Sequence, residues 1–241
     1  MDLRLAGRCY VVTGASRGLG FAAAKVLIDE GAMVVLVARD QLTLNGAVAA
    51  LGPNAFGVAA DLGAASTAEN ATAAAMARFG RLDGTLISAG SPPPATPMTA
   101  TDEAWRAAFE TLFVGGMRMV RATVLVATQE AGVTGTGASI VFVSSSSAKS
   151  TLPGMVLSND IRPGLVRMIK DLADEIGPRG VRVNGILPGR IATDAVFAQD
   201  AQQGDPMAVR RRREAGIPLR RYGEPDEFGR LAAFLLSPAS S

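Results

Sequence analysis

The stretch Thr13-Gly14-Ala15-Ser16-Arg17-Gly18-Leu19-Gly20 holds the most chemistry that residue types and spacing alone reveal. It follows the apolar run 9–12 and precedes a helical pattern over 21–31, so a strand stops in a glycine-rich turn and becomes a helix. Such a turn gathers unpaired backbone N–H groups and the positive end of a helix dipole at one point. An anion belongs there, and a dinucleotide pyrophosphate is the usual one. The glycines are spaced G-x-x-x-G-x-G, a variant of the common dinucleotide fingerprint. Gly14, Ser16, Arg17, Gly18, Leu19 and Gly20 are the candidate contacts from this turn.

The elements that must position the turn follow from the hydrophobic pattern. Continuous apolar runs, of the kind a strand covered on both faces needs, predict strands over 33–38, 55–60, 84–88, 139–144 and 181–187. Between them, helices are predicted over 41–51, 67–79, 102–131 and roughly 160–176, while 91–97, with four prolines, reads as a loop. Trp105 and Phe109, at i and i+4 of the long helix, read as core contacts. Strands alternating with helices imply right-handed crossovers and a parallel sheet covered on both sides. The fold class is α/β: a Rossmann-type, doubly wound parallel sheet in a three-layer αβα arrangement, one domain over 1–241.

Ligands of such sheets bind beyond the carboxyl ends of the strands, where the strand order reverses. Past the second strand stands Arg39, preceded by Ala38 rather than an acid. An acid there would hold a free ribose 2′-hydroxyl, whereas an arginine attracts a 2′-phosphate. Arg17 reaches for the same group, so the pair favours NADP(H) over NAD(H), against the alternative of two solvated arginines. Asp61 and Leu62, past the third strand, are placed for the adenine; Ser88, Ala89 and Gly90, past the fourth, allow close approach to the ribose. Past the sixth, Pro188, Gly189, Ile191 and Thr193 lie where a nicotinamide would.

Composition narrows the remaining classes. A net charge of +2 gives no global reason to expect nucleic acid or an acidic membrane surface as partner. Apolar runs are broken well before bilayer-spanning length and the first residues do not resemble a signal peptide, so a cytoplasmic protein is expected. There is no histidine, and no carboxylate cluster stands at metal-ligand spacing, so no metal is expected. The single cysteine, Cys9, reads as a small buried residue of the first strand.

With these residues in view, the chain resembles the short-chain dehydrogenase/reductases, and is most similar to their 3-oxoacyl-acyl-carrier-protein reductase branch. The likeness rests on Thr13 to Gly20, Asp61-Leu62, Ser88-Ala89-Gly90, Trp105, Val181-Arg182-Val183-Asn184, Pro188-Gly189 to Thr193, and Arg221-Tyr222-Gly223-Glu224-Pro225. It implies hydride transfer between a nicotinamide cofactor and a small carbonyl, alcohol or acyl-thioester substrate. It further implies a homodimer or homotetramer packed through the long fourth and fifth helices, a substrate lid over 190–220, and a seventh strand beyond residue 241, where this sequence stops.

The resemblance fails where protons are handled. The family uses a serine that orients the substrate oxygen, a tyrosine thirteen residues later as acid/base, a lysine four beyond it, and an asparagine in the preceding helix. Ser145 matches the serine, but the other positions hold Ser158, Arg162 and Leu112. A phenol is a usable proton donor once a nearby cation lowers its pKa; a serine hydroxyl is shorter and far less acidic. Arg162 keeps the positive charge but does not readily release a proton. Pro163 follows it, so the helix is expected either to start near Asp160 or to kink. Lys149 is a compensating donor if it is desolvated over the pocket, and otherwise an exposed loop lysine. The run Arg210 to Arg213, with Arg220 and Arg221, is a solvated helix face or a dock for an anionic carrier or coenzyme A phosphate. Two functions stay open: an NADP(H)-dependent oxidoreductase with a rearranged proton relay through Ser145, Ser158 and Arg162, and a non-catalytic NADP(H)-binding sensor or partner subunit.

Overall fold

In the computed structural model, which describes residues 1–134 and 137–241, the strands are β1 (Cys9–Thr13), β2 (Met33–Ala38), β3 (Ala55–Ala59), β4 (Gly84–Ile87), β5 (Ser139–Val143) and β6 (Arg182–Ile186). They form one sheet in the order β3-β2-β1-β4-β5-β6, with every neighbouring pair parallel. The order reverses at β1, so the point predicted to bind ligands lies between the carboxyl ends of β1 and β4. The helices are α1 (Gly18–Asp29), α2 (Gln41–Leu51), α3 (Thr67–Phe79), α4 (Asp102–Phe109), α5 (Gly115–Thr134), α6 (Val156–Ile176), α7 (Asp194–Ala201), α8 (Pro206–Ala215) and α9 (Pro225–Leu236).

Alternation along the strands builds two cores. In β1, Cys9 and Val11 join the cluster under α3, α5 and α6, while Tyr10 and Val12 join the one under α1, α2 and α9. Cys9 is fully buried, as expected, and burial pushes its thiol up to about 12. At the amino ends of the strands, Asp83 accepts from Arg8 Nη1 at 2.7 Å, Arg81 Nε at 2.7 Å and Cys9 N at 2.9 Å. Arg182, on the edge strand β6, closes α9 by donating to the carbonyls of Leu235 at 3.0 Å and Ser237 at 2.8 Å, a cation at the negative end of the helix. Among the described residues no helix is long and apolar enough to cross a membrane.

Two expected helices differ in detail. The segment 102–131 is helical throughout, as expected, with a π turn over Glu110–Val114 joining α4 to α5. Phe109, the residue before that turn, is 48% exposed and stacked on Phe113 at 4.9 Å between ring centres rather than packed in the core; Trp105 does pack against the core. The other is α6, which starts at Val156 rather than near Asp160, so Pro163 lies inside it. The amide that Pro163 lacks frees the Asn159 carbonyl. Asn159 also clasps the preceding loop through its side chain, with Leu152 N donating to Oδ1 and Nδ2 donating to Leu152 O, both at 2.9 Å.

Candidate active site

At the head of the sheet, α1 begins inside the glycine turn. Its N-cap, Arg17, is extended and makes no side-chain cap, and no acid stands in the first turn. The first amides and the helix dipole are therefore left for a ligand. Gly14 has φ +61°, and a Cβ there would lie 2.7 Å from the Ser88 carbonyl oxygen; a Cβ on Gly20 would strike the Gly14 carbonyl. The turn is locked to β4 by Thr13 Oγ1, which donates to Ser88 O at 2.7 Å and accepts from Ser88 N at 2.9 Å. This bare, tightly folded cradle fits a nucleotide pyrophosphate, as glycines that admit close backbone approach should.

Around it, Arg17 and Arg39 are both exposed. Arg39 Nη1 stands 3.9 Å from Asp61 Oδ2, and Asp61 also accepts from Gly63 N at 2.8 Å. The side chain of Leu62 is in the core, so this residue offers a nucleotide only its backbone. Ala89 is half-buried and Gly90 exposed, with open space where a Cβ would stand. The segment after β6 closes the far side. Pro188 O accepts from Ser146 N at 3.2 Å, Gly189 faces open space, Ile191 bridges to Gly223, and Thr193 Cγ2 is 3.9 Å from where a Gly18 Cβ would be. Ser16 and Leu19 are half-buried on the turn itself.

The three residues expected to handle protons, Ser145, Ser158 and Arg162, lie at the end of β5 and in the first turns of α6. Ser145 is half-buried, and its Oγ accepts from Ser147 N at 3.1 Å. Ser158, in the first turn of α6, is 3% exposed, and its Oγ accepts from Arg162 Nε at 3.1 Å. Arg162 is 4% exposed and also donates from Nη1 to Val143 O at 3.1 Å. Burial pushes the guanidinium down to about 10, and among the described residues no charged neighbour adds to this. Ser147 Oγ lies 2.9 Å from Ser158 Oγ, and Ser144 Oγ is buried with no hydrogen-bond partner among the described residues. Leu112, the residue expected in place of the family's asparagine, is buried in the π turn. Lys149 stands exposed at the end of the short turn after Ser147, where the desolvation its role as donor requires is missing.

Over 190–220, the buried carboxylate of Asp200 on α7 accepts from Arg190 Nη1 at 2.9 Å and from Tyr222 OH at 2.8 Å. Arg190 and Arg210 both approach the Tyr222 ring, at 5.6 Å and 5.3 Å from its centre. Arg210 is thus taken up within the segment, together with Glu214 at 2.8 Å, and Arg213 donates to Gln203; Arg211 and Arg212 are exposed. Burial, then the bond to Asp200, raises the Tyr222 phenol.

Two features escaped the sequence reading. Ser147 stood in plain view within the run Ser144 to Ser147, but only one serine of the run was matched to a role. Nothing in the sequence couples Asp200 to Tyr222, because that contact depends on how the 190–220 segment folds back.

Comparison with known proteins gives this geometry a family. A family model described as enoyl-(acyl carrier protein) reductase matches residues 14–241. "Oxidoreductase asL5" of Sarocladium schorii is 32% identical over 239 residues, covering 99% of this chain and 92% of its own. The L-sorbose reductase of Gluconobacter frateurii, solved with NADPH and L-sorbose, superposes with a TM-score of 0.91 at 28% identity, over 100% of this chain and 93% of that one. An NADPH-bound short-chain oxidoreductase of Pseudomonas aeruginosa PAO1, described as containing an atypical catalytic center, superposes with a TM-score of 0.86 at 32% identity, over 97% and 91%. On its sequence, its fold and these matches, the chain belongs to the short-chain dehydrogenase/reductase family.

Proposed function

We propose that this protein is an NADP(H)-dependent oxidoreductase acting on a carbonyl or alcohol, with Ser158 and Arg162 in place of the family's tyrosine and lysine. The observation that carries the reading is the buried Arg162 Nε–H bond to Ser158 Oγ, set at the carboxyl end of β5 beside Ser145. A bound nicotinamide nucleotide supplies the hydride, or receives it in the reverse direction. The free amides at the start of α1 hold its pyrophosphate, Arg17 and Arg39 its 2′-phosphate, and the segment from Pro188 to Thr193 bounds the nicotinamide.

On reduction the substrate oxygen becomes an alkoxide. Ser145 Oγ–H orients that oxygen, and Ser158 gives up its hydroxyl proton to it. The electron pair of the broken O–H bond stays on Ser158 Oγ, where the Arg162 cation holds the charge until a solvent proton restores the hydroxyl. Losing the phenol costs about 10²- to 10⁴-fold in rate, so turnover is slow beside a complete family site. The 190–220 segment serves as the lid, held by the Asp200 cluster. Two copies associate through the helical segment α4–α5 and through α6, a reading supported by the exposed, stacked Phe109.

One observation favours the second reading, a non-catalytic NADP(H)-binding subunit: the Ser158 hydroxyl is buried and already engaged. NADPH oxidation by the wild-type protein with acetoacetyl-coenzyme A, L-sorbose and phenanthrenequinone separates the two. Oxidation above the buffer rate with any of the three supports the enzyme. Tight NADPH binding with none supports the second reading.

A further inference from the structure

We infer that Ser147 is a positioning residue of this site, and that its hydroxyl decides whether Ser158 can act as the proton donor. The inference rests on the proposed oxidoreductase reading and adds a residue to it.

A serine oxygen has one proton to give and two lone pairs with which to accept. Arg162 has no acceptor, so its Nε–H fills one lone pair of Ser158 Oγ, at 3.1 Å. The second contact of that oxygen is Ser147 Oγ, at 2.9 Å. Ser147 has two arrangements. It can donate to Ser158 Oγ, or it can donate to the Ser158 carbonyl oxygen at 3.4 Å and accept the Ser158 proton itself.

In the first arrangement both lone pairs of Ser158 are filled and its proton is left for a third partner, the role this inference gives to the substrate oxygen. In the second the Ser158 proton is consumed internally and Ser158 cannot donate. The 2.9 Å contact serves both arrangements with its donor reversed, and the second adds only the long 3.4 Å bond to the carbonyl, so a substrate oxygen that accepts the Ser158 proton at ordinary distance selects the first.

The same residue also sets Ser145. The Ser147 amide donates to Ser145 Oγ at 3.1 Å, which takes up a lone pair there and leaves the Ser145 proton for the substrate. One residue therefore frees two hydroxyl protons, one through its backbone and one through its side chain. When Ser158 releases its proton, the electron pair left on its oxygen is held by two donors, Arg162 Nε–H and Ser147 Oγ–H. At 3% exposure, both Ser147 and Ser158 are screened from water that would compete for these bonds.

Ser147→Ala removes the hydroxyl but keeps the amide, so it isolates the effect on Ser158. With the carbonyl compound turned over in the three-substrate panel, Ser147→Ala is expected to lower kcat by about tenfold or more. KM and the NADPH dissociation constant, read by cofactor fluorescence, should stay within about twofold, and Ser147→Thr, which retains the hydroxyl, should recover kcat.

The decisive arm is the double variant. Ser147→Ala with Ser158→Ala should be no slower than Ser158→Ala alone, because Ser147 acts through Ser158. Losses that add, or a Ser147→Ala kcat equal to wild type, overturn the inference while leaving the oxidoreductase reading intact. Should Ser147→Ala not fold, Ser147→Cys carries the same test with a weak donor of similar size. Wild-type protein that binds NADPH and turns over none of the three compounds removes the oxidoreductase reading, and this inference with it.

Discussion

Replacing Gly14 with alanine tests the cradle by its two measured constraints. The position has φ +61°, and a side chain in the left-handed region costs about 1 to 2 kcal/mol. The new Cβ would also lie 2.7 Å from the backbone oxygen of Ser88, a contact that only backbone movement relieves. Moving Ser88 breaks its two bonds with Thr13, each worth about 1 kcal/mol net. The expected destabilisation is therefore about 3 to 4 kcal/mol. For a domain of this size each kcal/mol lowers Tm by about 2 to 4 °C, so thermal unfolding without cofactor should show a fall of about 6 to 16 °C. Gly90→Ala and Gly189→Ala are the controls, because neither position has a left-handed φ or any atom within 4 Å of a new Cβ. Both should keep Tm within about 2 °C of wild type and lose NADPH affinity, since the side chain fills space assigned to the nucleotide. A Gly14→Ala protein with wild-type Tm and wild-type NADPH affinity would refute the reasoning.

Removing the rim cations together, Arg17→Ala with Arg39→Ala, should weaken NADPH binding by about 10- to 100-fold and leave NADH nearly unchanged, as titration of the two nucleotides would show. Equal losses for both would mean that the arginines do not read the 2′-phosphate. Asp200→Ala strands the half-buried Arg190 and the Tyr222 phenol, and should cost about 3 to 5 kcal/mol, seen as faster proteolysis within 190–220; wild-type resistance there would count against the latch. The pH dependence follows from Arg162, whose guanidinium is pushed by burial from 12.5 down to about 10. Because folding lowers this cation's pKa, its charged form opposes folding at neutral pH, and that cost is relieved as pH rises from about 10 towards 12.5. The site's charge follows the folded value: turnover should be level through neutral pH and decline as pH rises through about 10, and a descending limb near neutrality would show that another group carries the reaction.

The sheet was legible because its strands are continuous apolar runs ended by glycine or charge, and because β1 runs straight into the glycine turn. The departures are tertiary in origin. Phe109 fits a helical core pattern with Trp105, but it lies at the exposed edge of α4 and stacks on Phe113 instead, a choice that i, i+4 spacing alone does not decide. Pro163 argued for a helix starting at or breaking near it; the tertiary packing of Val156, Leu157 and Ile161 carries the helix back to Val156 despite the missing bond. At the glycine turn, the close packing of Gly14 on Ser88 was legible, because a left-handed φ and a backbone 2.7 Å from any Cβ leave room only for glycine. The contacts of Ser147 were not, since they depend on how the turn after β5 meets α6. Arg210 looked like surface charge and is instead laid over Tyr222, a contact made by the fold-back of α8.

The most direct test of the central claim is to follow deuterium from the 4-position of deuterated NADPH into the product alcohol, with wild-type protein and with Ser158→Ala. The account predicts label on the carbinol carbon with the wild type, and the same label at a rate lower by about tenfold or more with Ser158→Ala, at equal NADPH affinity. Saturating NADPH binding with no label transferred, or transfer unaffected by Ser158→Ala, would contradict it.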